Sequence, residues 1–334
     1  MRTGAHALTL LSSPLNVQAL MALRDGPRPL PRLRKEVGSP PPTTMRNHLL
    51  TLTEFGIIER FRSNEFPPQV DFALGGAGRD LLSVAGAINT WLVAAPDGPV
   101  ELGTVAAKRS IKALVDGWAT GVVRALAAKP LTLTELDRLI SRVSYPTLER
   151  RLAAMREAGQ LEALSANGNG RRQMVTNWLR QAIGPLAVAS RWEQMHPSDH
   201  IPPPGRIDVE AAFLLAVPRL RLPNASSGSC RLAVELTGGE VADPTAGVVI
   251  DVEDGRVIGC SSRLGREVGA WVSGTPSGWF RAVVDGFPDQ LELGGDNALA
   301  AGVLDGLQRC PCERLGTQRL SVSVPHAGAD EGNG

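Results

Sequence analysis

The chain repeats itself at a spacing of 103 residues, and this feature constrains its fold more than any other. Five apolar or glycine positions recur in the same register: Leu23 and Leu126, Leu33 and Leu136, Leu49 and Leu152, Leu52 and Met155, Gly56 and Gly159. Near the ends of the two copies, Trp91 and Trp192 lie 101 residues apart, which indicates a two-residue deletion between them. The repeat predicts two units of the same fold, at about 10–94 and 110–195.

The residue pattern of the first unit predicts three helices, a β-hairpin and a closing helix. The predicted helices are 15–23, 30–37, a third from Pro42 or Thr43 to just before Gly56, and 76–93; the predicted strands are 57–62 and 70–74. In the third helix Met45, Leu49 and Leu52 are spaced by four and three residues, so we expect them to bury one face. The second unit follows the same order, with a sharper hairpin tip at 167–170.

Three helices with a short turn between the second and the third, followed by a hairpin, are typical of a winged helix-turn-helix. The first unit resembles the HxlR-type family of bacterial transcription regulators in the segments Gly26–Leu33, Leu49–Arg60 and Pro67–Arg79. The second unit resembles the family at Trp118 and Leu133–Leu136, although it lacks the Pro-Pro motif of the wing, and the first unit has Leu15 at the tryptophan position. The resemblance implies two DNA-binding units that read double-stranded operator DNA, in a monomer with an internal pseudo-dimer or in a homodimer.

A recognition helix needs one face in its own core and the opposite face in the major groove. The outward residues of the two third helices are therefore DNA-binding candidates: Thr43, Thr44, Arg46, Asn47 and His48 in the first unit, and Ser144, Tyr145, Thr147, Arg150 and Arg151 in the second. Arg46 suits phosphate or guanine and Asn47 suits adenine, whereas the second unit has Glu149 in place of Arg46. The wings add four arginines suited to the DNA backbone or minor groove: Arg60, Arg62, Arg171 and Arg172. The alternative interpretation is an ordinary solvated helix surface.

Charge is distributed unevenly along the chain. Residues 1–200 contain 24 Lys and Arg against 17 Asp and Glu, a net charge of +7, and residues 201–334 contain 11 against 17, a net charge of −6. A basic N-terminal part indicates nucleic acid as its partner and leaves a different role for the acidic remainder.

The composition changes after the Pro-rich segment 196–205, where we place the start of a third domain. The segments Ala270–Phe280 and Leu291–Ala300 resemble the sterol-carrier-protein fold, over roughly residues 205–315. The resemblance implies an α/β layer that shelters an apolar tunnel. Aromatic side chains concentrate there in a chain with only 4% aromatic residues, and four are candidates for binding an apolar or aromatic effector: Trp271, Trp279, Phe280 and Phe287. An ordinary hydrophobic core is the alternative.

The sequence contains none of the common catalytic or cofactor motifs. It has no HExxH, GxSxG or Walker pattern, so we expect no enzyme, no metal and no cofactor. Its four cysteines all lie in the last third without metal-type spacing, which favours reduced thiols. No apolar run is long enough to cross a membrane, and the expected location is the cytoplasm.

The predicted fold class is multidomain α+β: two tandem winged helix-turn-helix domains at 1–97 and 98–197, a sterol-carrier-protein-like α/β domain at 198–325, and a disordered tail at 326–334. The predicted function is a ligand-responsive transcriptional regulator, a repressor in the first instance, in secondary metabolism or drug resistance by analogy. The alternative is a protein that sequesters a small molecule, in which the winged helices are degenerate scaffolds without gene control.

Overall fold

The fold is described from a computed structural model, over residues 4–62, 69–140, 143–164, 171–198, 205–223, 226–235 and 246–310. Three predicted features lie outside these residues: the Pro-Pro motif at 67–68, the hairpin tip at 167–170 and the tail at 326–334. Within them, the order of helices and strands follows the sequence prediction closely.

The first unit combines five helices with a three-stranded sheet. Its elements are α1 (Ala5–Leu11), α2 (Pro14–Arg24), β1 (Arg28–Pro29), α3 (Leu30–Glu36), α4 (Pro42–Glu54), β2 (Ile58–Arg62), β3 (Val70–Leu74) and α5 (Gly76–Val93). The sheet is antiparallel in the order β1-β3-β2. Neither α1 nor the two-residue strand β1 was predicted from the sequence.

The core of the first unit contains the predicted inner face of α4. Met45, Leu49 and Leu52 are all buried, together with Leu33 of α3. Helix α5 passes so close to the start of the hairpin that a Cβ atom at Gly78 would lie 2.0 Å from the carbonyl oxygen of Ile57. Any larger residue at position 78 would clash with this backbone, so glycine is required where α5 crosses the start of the hairpin.

The second unit has a similar order of elements, but two helices follow its hairpin and its sheet has two strands. It consists of α6 (Val105–Thr120), α7 (Val122–Ala128), α8 (Leu133–Leu139), α9 (Tyr145–Glu157), β4 (Leu161–Leu164), β5 (Arg172–Val175), α10 (Asn177–Gln181) and α11 (Ile183–Met195). An isolated bridge joins Leu131 to Gln173, as β1 joins Arg28 to Phe72. Equivalent positions are offset by 103 residues before the hairpin tip and by 101 after it, so the two-residue difference falls in the tip.

Helices α5 and α11 join the two units through reciprocal tryptophan contacts. The indole N–H of Trp91 donates to the carbonyl oxygen of Trp178 at 3.0 Å, and that of Trp192 donates to the carbonyl oxygen of Ala77 at 2.8 Å. With the 101-residue offset, Trp91 corresponds to Trp192 and Ala77 to Trp178, so the two bonds are related by exchange of the units. The rings of Trp91 and Trp178 also stack, with centroids 4.3 Å apart.

Helix α1 is attached to the second unit by a buried carboxylate. Glu193 of α11 accepts hydrogen bonds from the backbone N–H groups of Gly4 (2.6 Å), His6 (2.8 Å) and Ala7 (3.0 Å), and its side chain is almost fully buried. Burial raises the pKa of Glu193, and the three N–H bonds oppose this shift. The carboxylate thus satisfies the N-terminal N–H groups of α1 across 189 residues of sequence.

The C-terminal region is a mixed five-stranded sheet with helices packed against it. Its elements are α12 (Arg206–Ala216), a 3₁₀ turn (Val217–Arg219), β6 (Gly228–Val234), β7 (Ala246–Glu253), β8 (Arg256–Ser261), β9 (Ala270–Gly274), α13 (Pro276–Phe280), a π-helical turn (Arg281–Asp285), a 3₁₀ turn (Pro288–Gln290), β10 (Glu292–Gly295) and α14 (Asn297–Arg309). The strand order is β10-β9-β6-β7-β8, with β6 and β9 parallel. The helix that begins at Pro276 changes to π-helical hydrogen bonding at Arg281.

The C-terminal region packs against the second unit through polar contacts around an apolar centre. Arg124 of α7 donates to both carboxylate oxygens of the buried Glu210 of α12, each at 2.9 Å. Arg180 of α10 donates to the carbonyl oxygen of Leu214 at 2.6 Å. At the edge, Arg191 of α11 pairs with Asp285 at 3.3 Å. These contacts place the C-terminal helices beside the face of α11 that does not meet α5.

Candidate nucleic-acid interface

Helix α4 presents a polar face to solvent, opposite the buried face described above. Four of the five predicted contact residues on this helix are exposed: Thr43, Thr44, Arg46 and Asn47. Leu50 lies one turn further along the same face and is 58% exposed. Leu50 was not predicted as a contact residue, although its spacing of three and four residues from Asn47 and Arg46 places it on that face. An exposed apolar side chain there suits the methyl group of thymine.

The fifth predicted residue, His48, has a different role. Its Nδ1 atom lies 2.7 Å from Oδ1 of Asn16, while Nδ2 of the buried Asn16 donates to the carbonyl oxygen of Leu10 at 2.9 Å. Because that oxygen of Asn16 accepts, Nδ1 of His48 carries the proton. The half-buried His48 therefore ties α4 to α2, and its contact with DNA stays a prediction.

The turn before α4 is held so that the first turn of the helix remains open to solvent. Gly38 and Ser39 both have positive φ angles, 83° and 56°, and Nε of Arg34 donates to the carbonyl oxygen of Pro40 at 2.7 Å. Pro42 starts the helix with its fixed φ. The exposed N-terminal turn of α4 carries the positive end of the helix dipole, which favours a phosphate nearby.

The hairpin of the first unit adds two cations. Arg60 and Arg62 of β2 are exposed, and the alternation of a strand places both on the same face. Phe61, between them, is 42% exposed on the other face. The two arginines therefore give this face of the hairpin two exposed positive charges.

Helix α9 of the second unit exposes part of the predicted set. Ser144, Tyr145 and Arg150 are exposed, whereas Thr147 and Arg151 are half-buried. The hydroxyl of Ser144 donates to that of Thr147 at 3.0 Å. Glu149, at the position of Arg46, is exposed and places a negative charge on this face. The outward faces of α4 and α9 therefore differ in charge.

Arg150 and Arg151 line a groove of about 630 Å³ between α9 and α6. Two further cations, Arg109 and Lys112 of α6, line the same groove. Three carboxylates lie along it as well: Asp97, Asp116 and Glu157. Arg150 and Arg151 of α9 thus line the same groove as charged residues of α6. Sequence periodicity within one helix does not predict which residues of another helix lie beside it.

The two predicted wing arginines of the second unit differ from each other. Arg171 is exposed, but Nη2 of Arg172 lies 3.3 Å from Oε1 of Glu135, and its Nη1 donates to the carbonyl oxygen of Pro130 at 3.3 Å. Hydrogen bonds from the backbone and side chain of Thr132 lower the pKa of Glu135, and Arg172 adds to the effect. Arg172 therefore anchors β5 to the start of α8, and its contact with DNA stays a prediction.

The four aromatic residues predicted to bind an effector do not come together. Trp279 and Phe280 are buried and line an apolar cavity of about 90 Å³. Trp271 is partly exposed on β9, where its ring lies against Gly294, and Phe287 is 60% exposed beside the guanidinium of Arg281. Trp271 and Phe287 therefore do not line this cavity. The cavity is lined by helical residues rather than by the sheet-and-helix tunnel that was expected.

Among the described residues, no group of three metal-ligating side chains comes together, and no helix is long and apolar enough to cross a membrane. Cys230, Cys260 and Cys310 form no disulfides. Burial raises the pKa of the Cys230 thiol to about 12 and that of Cys260 to about 11.

These two thiols are expected to react slowly in the native protein. The thiolate is the reactive form, and a pKa raised from 9 to about 11 or 12 lowers its population at neutral or mildly alkaline pH. Alkylation of Cys230 and Cys260 by iodoacetamide should therefore be roughly 100- to 1000-fold slower than in the urea-unfolded chain, with peptide mapping following each thiol separately. Equal alkylation rates in the native and the unfolded chain would contradict the description of these two thiols as buried and protonated.

Residues 10–96 match the family described as HxlR-like helix-turn-helix. No curated protein matches the chain. The match covers α2, α3, α4 and the hairpin, and thus includes the exposed face of α4 and the two arginines of β2. Residues 10–96 therefore form an HxlR-like helix-turn-helix domain, the DNA-binding domain of a transcriptional regulator.

Proposed function

We propose that this chain is a cytoplasmic, ligand-responsive transcriptional regulator in which both units contact DNA. The observation that carries the proposal is the exposed face of α4, with Arg46 and Asn47, within an HxlR-like domain. Arginine and asparagine on the outer face of a recognition helix read guanine and adenine in the major groove. No catalytic step is assigned to the chain.

The second unit is proposed to be a second winged helix, which makes the chain an internal pseudo-dimer. Support comes from the matching order of elements and from the exchange-related bonds of Trp91 and Trp192. Two-fold related recognition helices read two half-sites, as in dimeric helix-turn-helix proteins. Because Arg46 is replaced by Glu149 in the second unit, the two half-sites are expected to differ in sequence.

The C-terminal region is proposed to be a sterol-carrier-protein-like effector domain, supported by its mixed sheet with packed helices and by the apolar cavity beside it. A small molecule that binds the free protein better than the DNA-bound protein releases DNA through that difference in affinity. A typical coupling of about 1–3 kcal/mol weakens operator binding roughly 5- to 150-fold. We propose that the chain acts as a repressor, in secondary metabolism or drug resistance.

The proposal is tested by selecting binding sites from a random duplex library with the purified chain. The expected result is one enriched sequence with two unlike halves, bound at least about a thousandfold more tightly than its scrambled version by fluorescence anisotropy. A perfectly palindromic site would instead indicate pairing between two chains. Failure to enrich any sequence, with weak and steeply salt-dependent binding, would reject the regulator and favour the small-molecule sequestration protein.

A further inference from the structure

The apolar cavity lies where the second unit meets the C-terminal region, and both contribute to it. Trp118 of α6 and Leu186 of α11 line it from one side, and Phe213 of α12 and Trp279 of α13 from the other. The rings of Phe213 and Trp279 meet edge to face, with centroids 4.6 Å apart and planes at 76°. Aromatic walls around a space of about 90 Å³ suit a ligand of one aromatic ring.

One of the residues that line the cavity, Trp118, has a buried indole N–H. Trp118 is 4% exposed, and its indole N–H has no partner among the described residues. The other four buried tryptophans all donate to backbone carbonyl oxygens: Trp91 to Trp178, Trp178 to Trp91, Trp192 to Ala77 and Trp279 to Ala233. Buried donors are normally paired, so the exception at a cavity indicates a place for an acceptor from a ligand.

The cavity has an opening beside an irregular helix. Val283 and Val284 line it from the π-helical turn Arg281–Asp285 and are half-buried, as is Val209 of α12, so the cavity reaches the surface there. Single π-helical turns are rare and occur frequently at functional sites. The ion pair between Arg191 and Asp285 connects this turn to α11 near the opening.

We propose that this junction is the effector site, and that its ligand is a small, uncharged aromatic molecule with a hydrogen-bond acceptor such as a ketone or quinone oxygen. The Trp118 indole N–H binds the acceptor, and the side chains of Phe213, Trp279 and Phe280 enclose the ring. The one carboxylate that lines the cavity, Asp208, disfavours an anionic ligand. The site is therefore shared between a DNA-binding unit and the C-terminal region rather than contained in the latter.

The position of the cavity on α11 links it to the contact between the units. Leu186 and Ala187 of α11 line the cavity, while Trp192, further along the same helix, donates to the carbonyl oxygen of Ala77 in α5. A ligand that shifts α11 changes the orientation of the two units, and with it the spacing of α4 and α9. This regulatory consequence rests on the proposed function, whereas ligand binding at the junction does not.

Two matched probes test the site by fluorine NMR with the full-length chain. Para-fluoroacetophenone has a carbonyl acceptor, and para-fluoroethylbenzene has nearly the same shape without one. The wild-type chain is expected to bind the ketone roughly 2- to 10-fold more tightly, the usual net effect of one hydrogen bond. Trp118→Phe should abolish this preference while retaining binding of the hydrocarbon, and Trp271→Phe, which changes an indole outside the cavity, should leave both affinities unchanged. Ala212→Phe, which fills the cavity, should abolish binding of both probes in a chain whose circular dichroism is unchanged.

Several outcomes would overturn the proposal. Absence of binding by either probe up to its solubility limit would reject the site. Equal binding of the two probes to the wild type, or a preference that survives Trp118→Phe, would reject the role of the indole N–H. The regulatory link is tested separately, by repeating the anisotropy titration on the selected DNA with saturating ketone. An unchanged DNA affinity would reject that link alone, and a chain that binds the ketone but selects no DNA would reject the proposed function while the site stands.

Discussion

Replacing Trp192 with alanine is expected to lower the free energy of unfolding by about 3–5 kcal/mol, the usual range for removal of a buried tryptophan or phenylalanine ring. Trp192 is 2% exposed and lies between the two units, where its N–H donates to the carbonyl oxygen of Ala77. Removing the ring therefore leaves a cavity between α5 and α11 as well as an unmade hydrogen bond. Urea unfolding followed by far-UV circular dichroism measures the loss.

Two further variants separate these contributions. Trp192→Phe retains most of the ring but not the donor, so we expect a smaller loss that includes about 1 kcal/mol for the hydrogen bond. Trp271→Ala removes a tryptophan that is 36% exposed on β9, and we expect it to destabilise the protein much less than Trp192→Ala. Equal losses for Trp192→Ala and Trp271→Ala would contradict the description of Trp192 as a buried contact between α5 and α11.

Replacing both Arg46 and Asn47 with alanine is expected to weaken binding to the selected DNA roughly a hundredfold or more. Each well-formed contact with a base contributes about 1–3 kcal/mol, and both side chains are exposed on α4 without contributing to the core. The two single variants are expected to differ in kind. If the Arg46 guanidinium contacts phosphate, Arg46→Ala reduces the slope of log affinity against log salt concentration by about one. Asn47→Ala instead relaxes specificity at one base pair and leaves that slope unchanged.

Arg263→Ala is the matched control, because it removes the same charge from an exposed position in the C-terminal region. Its effect on affinity should be small. Arg150→Ala, in the second unit, then measures whether α9 contacts DNA as α4 does. Unchanged affinity in the Arg46 and Asn47 double variant, with the fold intact by circular dichroism, would remove the mechanism proposed for this protein.

Local patterns in the sequence were sufficient to predict most elements. The spacing of Met45, Leu49 and Leu52 predicted the buried face of α4, because helical periodicity alone decides which side chains share a face. The 103-residue repeat predicted the same order of elements in both units. Helix α1 was missed because seven residues are too few for a clear helical periodicity, and β1 because two residues form no recognisable pattern.

The candidate site was predictable only in part, because side-chain partners come from other elements. His48 and Arg172 have residue types typical of DNA contacts, but Asn16 and Glu135 engage them from helices that are distant in sequence. In the same way, Trp271 and Phe287 resemble pocket residues by composition, yet β9 and the turn after the π-helix direct them away from the cavity.

The amino-acid sequence by itself determined the repeat, the buried and exposed faces of the helices, and the uneven distribution of charge, since each of these depends on neighbouring residues or on composition. The tertiary structure alone decided which surfaces meet. It paired Trp91 with Trp178, placed Glu193 at the start of α1, and brought Trp118 to the cavity lined by Phe213 and Trp279. These contacts join residues about 90 to 190 positions apart, and they exist only because whole helices pack against one another, which periodicity within a single helix does not encode.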